Sequence, residues 1–228
     1  MEAKVEETLP MPKKRLHLYQ EILLLALKDR EGTVASGTWY PQALAGALMA
    51  ELLLEGHLSL AGKTVFAQKA KLGDALLEES LELIAGAKRR RPAAFWLSKL
   101  SNLRNLKHRA AESLCRDGIL AADRKKVLHF FERRIYPELD HAPEQAVVDR
   151  LRAALFEKEA RVDPRTAVLI SLAHHTDILG VVFDKKELKR RKARIQRVIE
   201  GDAIGTAAKE VVQAIQAAIL VSVLVAAS

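Results

Sequence analysis

From Leu16 onward, apolar positions recur at helical spacing along most of the chain. In LHLYQEILLLALKD (16–29) the Leu, Ile and Tyr side chains share a broad face. That pattern predicts a helix ending before the turn-like Arg30-Glu31-Gly32-Thr33. Pro41 suits a first helical position, and QALAGALMAELLLEG (42–56) runs to Gly56, a natural left-handed stop. Ala43, Ala45, Gly46, Ala47 and Ala50 suit close packing, so this second helix is expected to be buried. Two short alternating runs in HLSLAGKTVF (57–66), around Ala61-Gly62-Lys63, read as a hairpin. Asp74 is placed to cap a helix through Leu76, Leu77, Leu81 and Ile84 to Gly86.

Further along, helices are predicted from Pro92 to about Leu100 and from Asn102 to Asp117. The β-preferring Val127, Phe130, Phe131, Ile135 and Tyr136 favour a second hairpin over a frayed helix within 119–136. Pro143 opens an amphipathic helix to about Glu159, and Asp163-Pro164 caps another that reaches Gly180. A very basic helix from Asp184 to Glu200 precedes an alanine-rich one from about Thr206. Residues 1–14, interrupted by Pro10 and Pro12, read as a flexible polar tail, and 15–228 as one domain without repeats or linkers. The fold class is all-α: a single mainly helical domain around a central helical bundle, with one or two short β-hairpins.

Composition narrows the function. The 228 residues are 49% hydrophobic, the balance of a folded globular chain, and carry a formal charge of +8. The lone Cys115 cannot form an internal disulfide and reads as a core thiol in a reducing compartment. The charged, Pro-broken N-terminus does not resemble a secretory leader. Positive charge is concentrated: Lys88 to Arg109 holds eight basic residues and no acidic one, and Asp184 to Arg197 holds eight against two. With the remainder slightly acidic, this favours an anionic partner: nucleic acid, a membrane surface or a phosphorylated small molecule. Arg104, Lys107 and His108 stand at i, i+3 and i+4, so a helix would present them on one face. A forked Arg beside a Lys point charge suits a phosphate.

Phe130, Phe131, Arg133 and Arg134 set aromatic rings beside cations. Such a hairpin either seats its rings at a lipid head-group boundary or buries them against a sister subunit or the core. Val211 to Ser228 is uncharged and about 27 Å long if helical, but Gln213, Gln216, Ser222 and the alanine content favour a buried helix over a membrane anchor. His174, His175 and Asp177 lack a companion cluster at ligand spacing and read as helix-end contacts rather than a metal site. No phosphate-loop, dinucleotide, nucleophile-elbow or zincin motif occurs. No catalytic residue, cofactor or metal is therefore expected. A rival reading takes the helices at 92–100 and 102–117, with the basic hairpin after them, as a winged-helix-like DNA-binding unit. Leu103, Leu106, Ala110 and Leu114 mark the second of these as a packed helix, which makes nucleic acid the weaker partner.

Four segments in order, LHLYQEILLLALKDREGTV, ALAGALMAELLLEGHLSL, LRNLKHRAAESLCRDGIL and DPRTAVLISLAHHTDILGVVF, resemble the Golgi phosphoprotein 3 family from about Leu16 to the C-terminus. The resemblance implies a helical domain that binds membranes peripherally through the head group of phosphatidylinositol 4-phosphate. It also implies a hairpin used in self-association or membrane contact. Eukaryotic members are adaptors, not enzymes. They act on the cytosolic face of the Golgi, retaining glycosyltransferases by their short cytosolic tails and linking them to a vesicle coat. The two middle-helix arginines of the family pocket fall on Arg104 and Lys107. The early arginine position falls on Ala45, and the tryptophan position near Ser36, with Trp39 three residues on. The resemblance thus implies a head-group site of Trp39, Arg104 and Lys107, and membrane or oligomer contact through Phe130, Phe131, Arg133 and Arg134. It departs from the family in lacking an arginine at 45 and an arginine-rich tail, for which Lys13, Lys14 and Arg15 are a thin substitute. This fits a minimal or prokaryotic member.

Overall fold

A computed structural model describes residues 15–28, 31–127, 131–157, 162–200 and 206–227. The tail expected at 1–14, Phe130 and the side chain of Phe131 lie outside the described residues. The chain builds α1 (Leu18–Ala26), a minimal strand pair β1 (Leu27–Lys28) and β2 (Thr33–Val34), α2 (Tyr40–Leu54), then the hairpin β3 (Leu58–Ala61) and β4 (Thr64–Ala67). Next come α3 (Ala75–Ala85), α4 (Ala93–Ser101), α5 (Leu106–Arg116) and a second hairpin, β5 (Asp123–Val127) with β6 (Phe131–Ile135). The remainder is helical: α6 (Ala142–Phe156), α7 (Pro164–His175), α8 (Leu179–Val182), α9 (Lys185–Arg190), α10 (Lys192–Ile199) and α11 (Thr206–Ala227). The mainly helical fold with two short hairpins is thus as expected; the two-residue β1–β2 pair is an addition that a plain turn reading missed.

Helix α2 is the axis of the bundle, packed by α1, α4, α7 and α11. Its residues from Gln42 to Leu53 are all buried, because small side chains on several faces let neighbours approach from every side. At Gly46 a Cβ would lie 2.6 Å from the end of the Leu172 side chain of α7 and 3.4 Å from Ile219 of α11, so a larger residue there would require Leu172 to shift. Each leucine buried here contributes about 1.5–3 kcal/mol relative to exposure. The C-terminal helix α11 packs Val212, Ile215, Ala218 and Ile219 inward while Leu220, Val221 and Leu224 stay exposed. It is therefore half-buried along one stripe, not wholly buried as its uncharged sequence suggests. No described helix is long and apolar enough to cross a membrane.

Three ionic side chains cross the core at the end where α1 begins. Arg165 of α7 donates to Glu51 of α2 at 2.6 Å and to the Leu16 carbonyl at 2.6 Å, while the Leu18 N–H donates to the other Glu51 oxygen at 2.5 Å. Burial alone would raise the Glu51 pKa. The His17 ring, 3.6 Å from the carboxylate, and the Arg165 guanidinium win, and hold the pKa at about 2. His17 is raised in turn, chiefly by Glu51. At the same end Tyr19 donates to Asp74, which also caps α3 by accepting from the Leu76 and Leu77 N–H groups.

The opposite end of the bundle gathers the loops. The Ala35 N–H bonds the Ala26 carbonyl, the Trp39 N–H bonds Thr176 at the end of α7, and the Tyr136 N–H bonds Gly32. Gly32 has φ +58, and a Cβ there would lie 2.5 Å from the Tyr136 and Pro137 backbone. Only glycine allows the β1–β2 turn to seat the foot of the second hairpin this closely.

Candidate anion-binding site

Three of the expected helices are interrupted: the one expected to reach Gly180 ends at His175, with Asp177 at φ +61 before α8, and another of the breaks shapes the site. A continuous helix from Asn102 does not form: Asn105 takes φ 56, in the left-handed region that asparagine tolerates, and α5 starts only after it. Arg104 accordingly sits exposed in the preceding turn, while Lys107 and His108 occupy the first turn of α5. This corrects the expectation that all three share one helix face. Similarly, the basic helix expected over 184–200 is divided at Arg191 into α9 and α10.

Lys107 and His108 meet the second hairpin. With Asn105, Glu132, Arg133 and Arg134 they line an open cavity of about 450 Å³. The His108 Nδ1 lies 2.8 Å from the Tyr136 hydroxyl, which fixes the hairpin foot against α5. Partial burial and then the nearby Arg133 push the Lys107 ammonium below its ordinary pKa. Burial, Lys107 and Arg134 do the same to His108, against a weaker opposing pull from Glu112. Arg134 reaches Glu112 at 3.4 Å, and Glu132 is engaged by Arg124 at 3.1 Å. Among the described residues no ion pair is made by Lys107 or Arg133.

The hairpin register adds to this excess. Arg124 stands opposite Arg134, and Lys125 opposite Arg133. Like charges facing across a ladder each destabilise by a few tenths to about 1 kcal/mol. Arg124 and Lys125 were not singled out in the sequence; the readable signal was a basic run mirrored across a turn by Arg133-Arg134.

The other expected residues stand apart from this cavity. Trp39 is half-buried, with its N–H on the Thr176 carbonyl, and neither it nor Arg104 is among the lining residues. Ala45 is fully buried within α2. Phe131 opens β6, and Phe130 lies outside the described residues. Cys115 is only partly buried, and its thiol pKa is raised by that burial. His17, Glu51 and Glu55 come close enough to share a cation. Both Glu51 oxygens, however, are already engaged by Arg165 and the Leu18 N–H. Near the end of α7, His175 bonds the Ser171 carbonyl at 2.8 Å, a helix-end contact of the kind expected.

Fold and site together define a mainly helical protein whose loop-bearing end concentrates unneutralised cations between a helix start and a basic hairpin. Its sequence places it further: the Golgi phosphoprotein 3 (GPP34) family pattern matches residues 18–215, and the chain belongs to that family. Among curated relatives, the vacuolar protein sorting-associated protein 74 of Eremothecium gossypii is 24% identical over 238 residues, covering 87% of this chain and 70% of that protein.

Proposed function

We propose that the protein is a peripheral membrane adaptor that binds phosphorylated lipid head groups, phosphatidylinositol 4-phosphate among them, through Lys107, Arg133 and Arg134. The observation carrying this reading is the half-buried Lys107 ammonium, lowered in pKa beside Arg133 and without an acidic partner among the described residues. A cation held in that state is stabilised by a phosphate, and the facing like charges of the hairpin favour the same ligand. Arg104, exposed in the turn before α5, adds attraction, while Trp39 stands apart in the loop before α2. Phe130 and Phe131 contact lipid or a second copy of the chain in this reading.

Family membership supports an adaptor role without enzyme chemistry: retention of membrane proteins by their cytosolic tails, at the cytosolic face of the Golgi in a cell that has one. The basic residues of α9 and α10 add general attraction to an anionic leaflet, worth about 1 kcal/mol each near its surface. The DNA-binding alternative draws less support, since Leu106, Ala110, Ala111 and Leu114 bury one face of α5 in the core.

The test is co-sedimentation with phosphoinositide-containing vesicles. K107A/R133A is expected to lose at least tenfold in binding while keeping the wild-type thermal midpoint, and R104A to lose less. Unchanged binding by K107A/R133A would refute the site.

A further inference from the structure

The second basic block has a feature that general attraction to a bilayer leaves unused. Lys185, Lys189 and Lys192 stand at i, i+4 and i+7, and despite the break at Arg191 all three line one cavity of about 570 Å³. Lys186, Arg190, Arg191, Arg194 and Arg197 do not line it. The opposite wall is the loop Ser36–Thr38 with the end of α7, and Leu179, Val181, Leu188 and Ile195 supply apolar surface. A volume in the hundreds of Å³, largely apolar with a few convergent polar groups, is the ordinary form of a small-ligand site.

Charge and donors indicate the ligand. Asp177, held at φ +61, is the single acidic residue of the lining, so three ammonium groups leave two positive charges in excess. His174 adds none at neutral pH, its pKa being lowered by desolvation and by His175. Among the described residues, Lys185, Lys189 and Lys192 make no ion pair, and the backbone N–H groups of Ser36, Gly37 and Thr38 have no hydrogen-bond partner. Gly37 has φ +80, and the Ser36–Thr38 turn it forms lines the cavity. A phosphate monoester carries close to two negative charges at neutral pH, which matches this excess, whereas a lone carboxylate carries one.

We propose that this cavity is a second anion site, which takes a phosphate monoester bearing a short apolar group. The phosphate lies between the lysines and the Ser36–Thr38 turn, and the apolar part lies on Leu179, Leu188 and Ile195. The site shares no lining residue with the one at Lys107, and its existence does not depend on that reading. It lies at the same end of the bundle, since the Trp39 N–H ties its loop to Thr176. The natural ligand is therefore either a phospholipid of the surface that this end faces, or a soluble phosphate ester.

Calorimetric titration of the full chain with hexyl phosphate tests this. Saturable binding is expected, at least tenfold tighter than for inorganic phosphate, with K189A/K192A losing at least tenfold. K186A/R190A, which removes the same charge from residues outside the cavity, is expected to stay within twofold of wild type. Equal losses in K189A/K192A and K186A/R190A would reduce the site to diffuse attraction and overturn the proposal. So would equal affinity for inorganic phosphate, or no saturable binding. Sedimentation of phosphatidate vesicles by K189A/K192A then distinguishes the sources: reduced binding identifies a lipid, and unchanged binding a soluble ester.

Discussion

Replacing Arg165 by methionine keeps most of the side-chain volume and removes the cation that Glu51 and Glu21 share. Arg165 is 6% exposed, donates to Glu51 at 2.6 Å and lies 3.8 Å from Glu21, which Arg150 also reaches at 2.9 Å. Glu21 keeps Arg150, but Glu51 keeps only His17 and the Leu18 N–H. A buried charge deprived of its main partner costs about 3–5 kcal/mol. A Glu51 pKa of about 2, against its ordinary value of 4.5, corresponds independently to about 3 kcal/mol at neutral pH. With about 2–4 °C per kcal/mol for a domain of this size, the midpoint should fall by about 6–20 °C.

The pH dependence carries the diagnostic sign. A carboxylate whose folded pKa is depressed contributes stability above its unfolded value and loses it as pH falls through the folded one. Wild type therefore forfeits the Glu51 contribution between about pH 4.5 and pH 2. In R165M the raised Glu51 pKa makes protonation a relief, so the gap between the two proteins narrows on acidification. Urea unfolding of both at pH 7.5 and pH 4 measures this. A difference below 1 kcal/mol at pH 7.5, or a gap that widens on acidification, would show that the network does not hold the fold in the way described.

Other consequences are as direct. D74A removes the cap of α3 and the acceptor of the Tyr19 hydroxyl, and should cost about 1–2 kcal/mol of unfolding free energy by urea titration. G32A forces a Cβ against the Tyr136–Pro137 backbone at a positive φ, for about 1–3 kcal/mol. Because that turn seats the hairpin foot, G32A should also raise amide exchange across β5 and β6 more than in α2. H108A frees the Tyr136 hydroxyl and should loosen the same junction, with weaker vesicle binding at an unchanged thermal midpoint within about 3 °C.

Local pattern made much of this architecture readable. The hairpin around Ala61-Gly62-Lys63 pairs Leu58 with Ala67 and Ala61 with Thr64, as its alternating runs require. Asp74 caps α3 and Asp163 caps α7, each followed by the apolar spacing that marks a helix start. What escaped were features fixed by distant partners or by a single dihedral. The spacing of Leu103 and Leu106 reads as helix, yet the left-handed Asn105 parts Arg104 from Lys107. Glu51 and Arg165 are separated by 114 positions, so no periodicity announces their pairing. Lys107 meets Arg133 and Arg134 only because the hairpin folds back onto α5 through Tyr136 and Gly32. Site chemistry was legible as residue types, therefore, and its assembly was not.

The central claim is that Lys107 and the basic hairpin recognise a phosphorylated head group rather than negative charge in general. Its most direct measurement is co-sedimentation with phosphatidylinositol 4-phosphate vesicles and with phosphatidylserine vesicles of equal surface charge, at 150 mM salt, where diffuse attraction is screened within about 8 Å. Wild type should bind the phosphoinositide vesicles several-fold more strongly, and K107A/R133A should bind both alike. Equal binding of both vesicles by wild type would contradict the claim and leave only a basic surface.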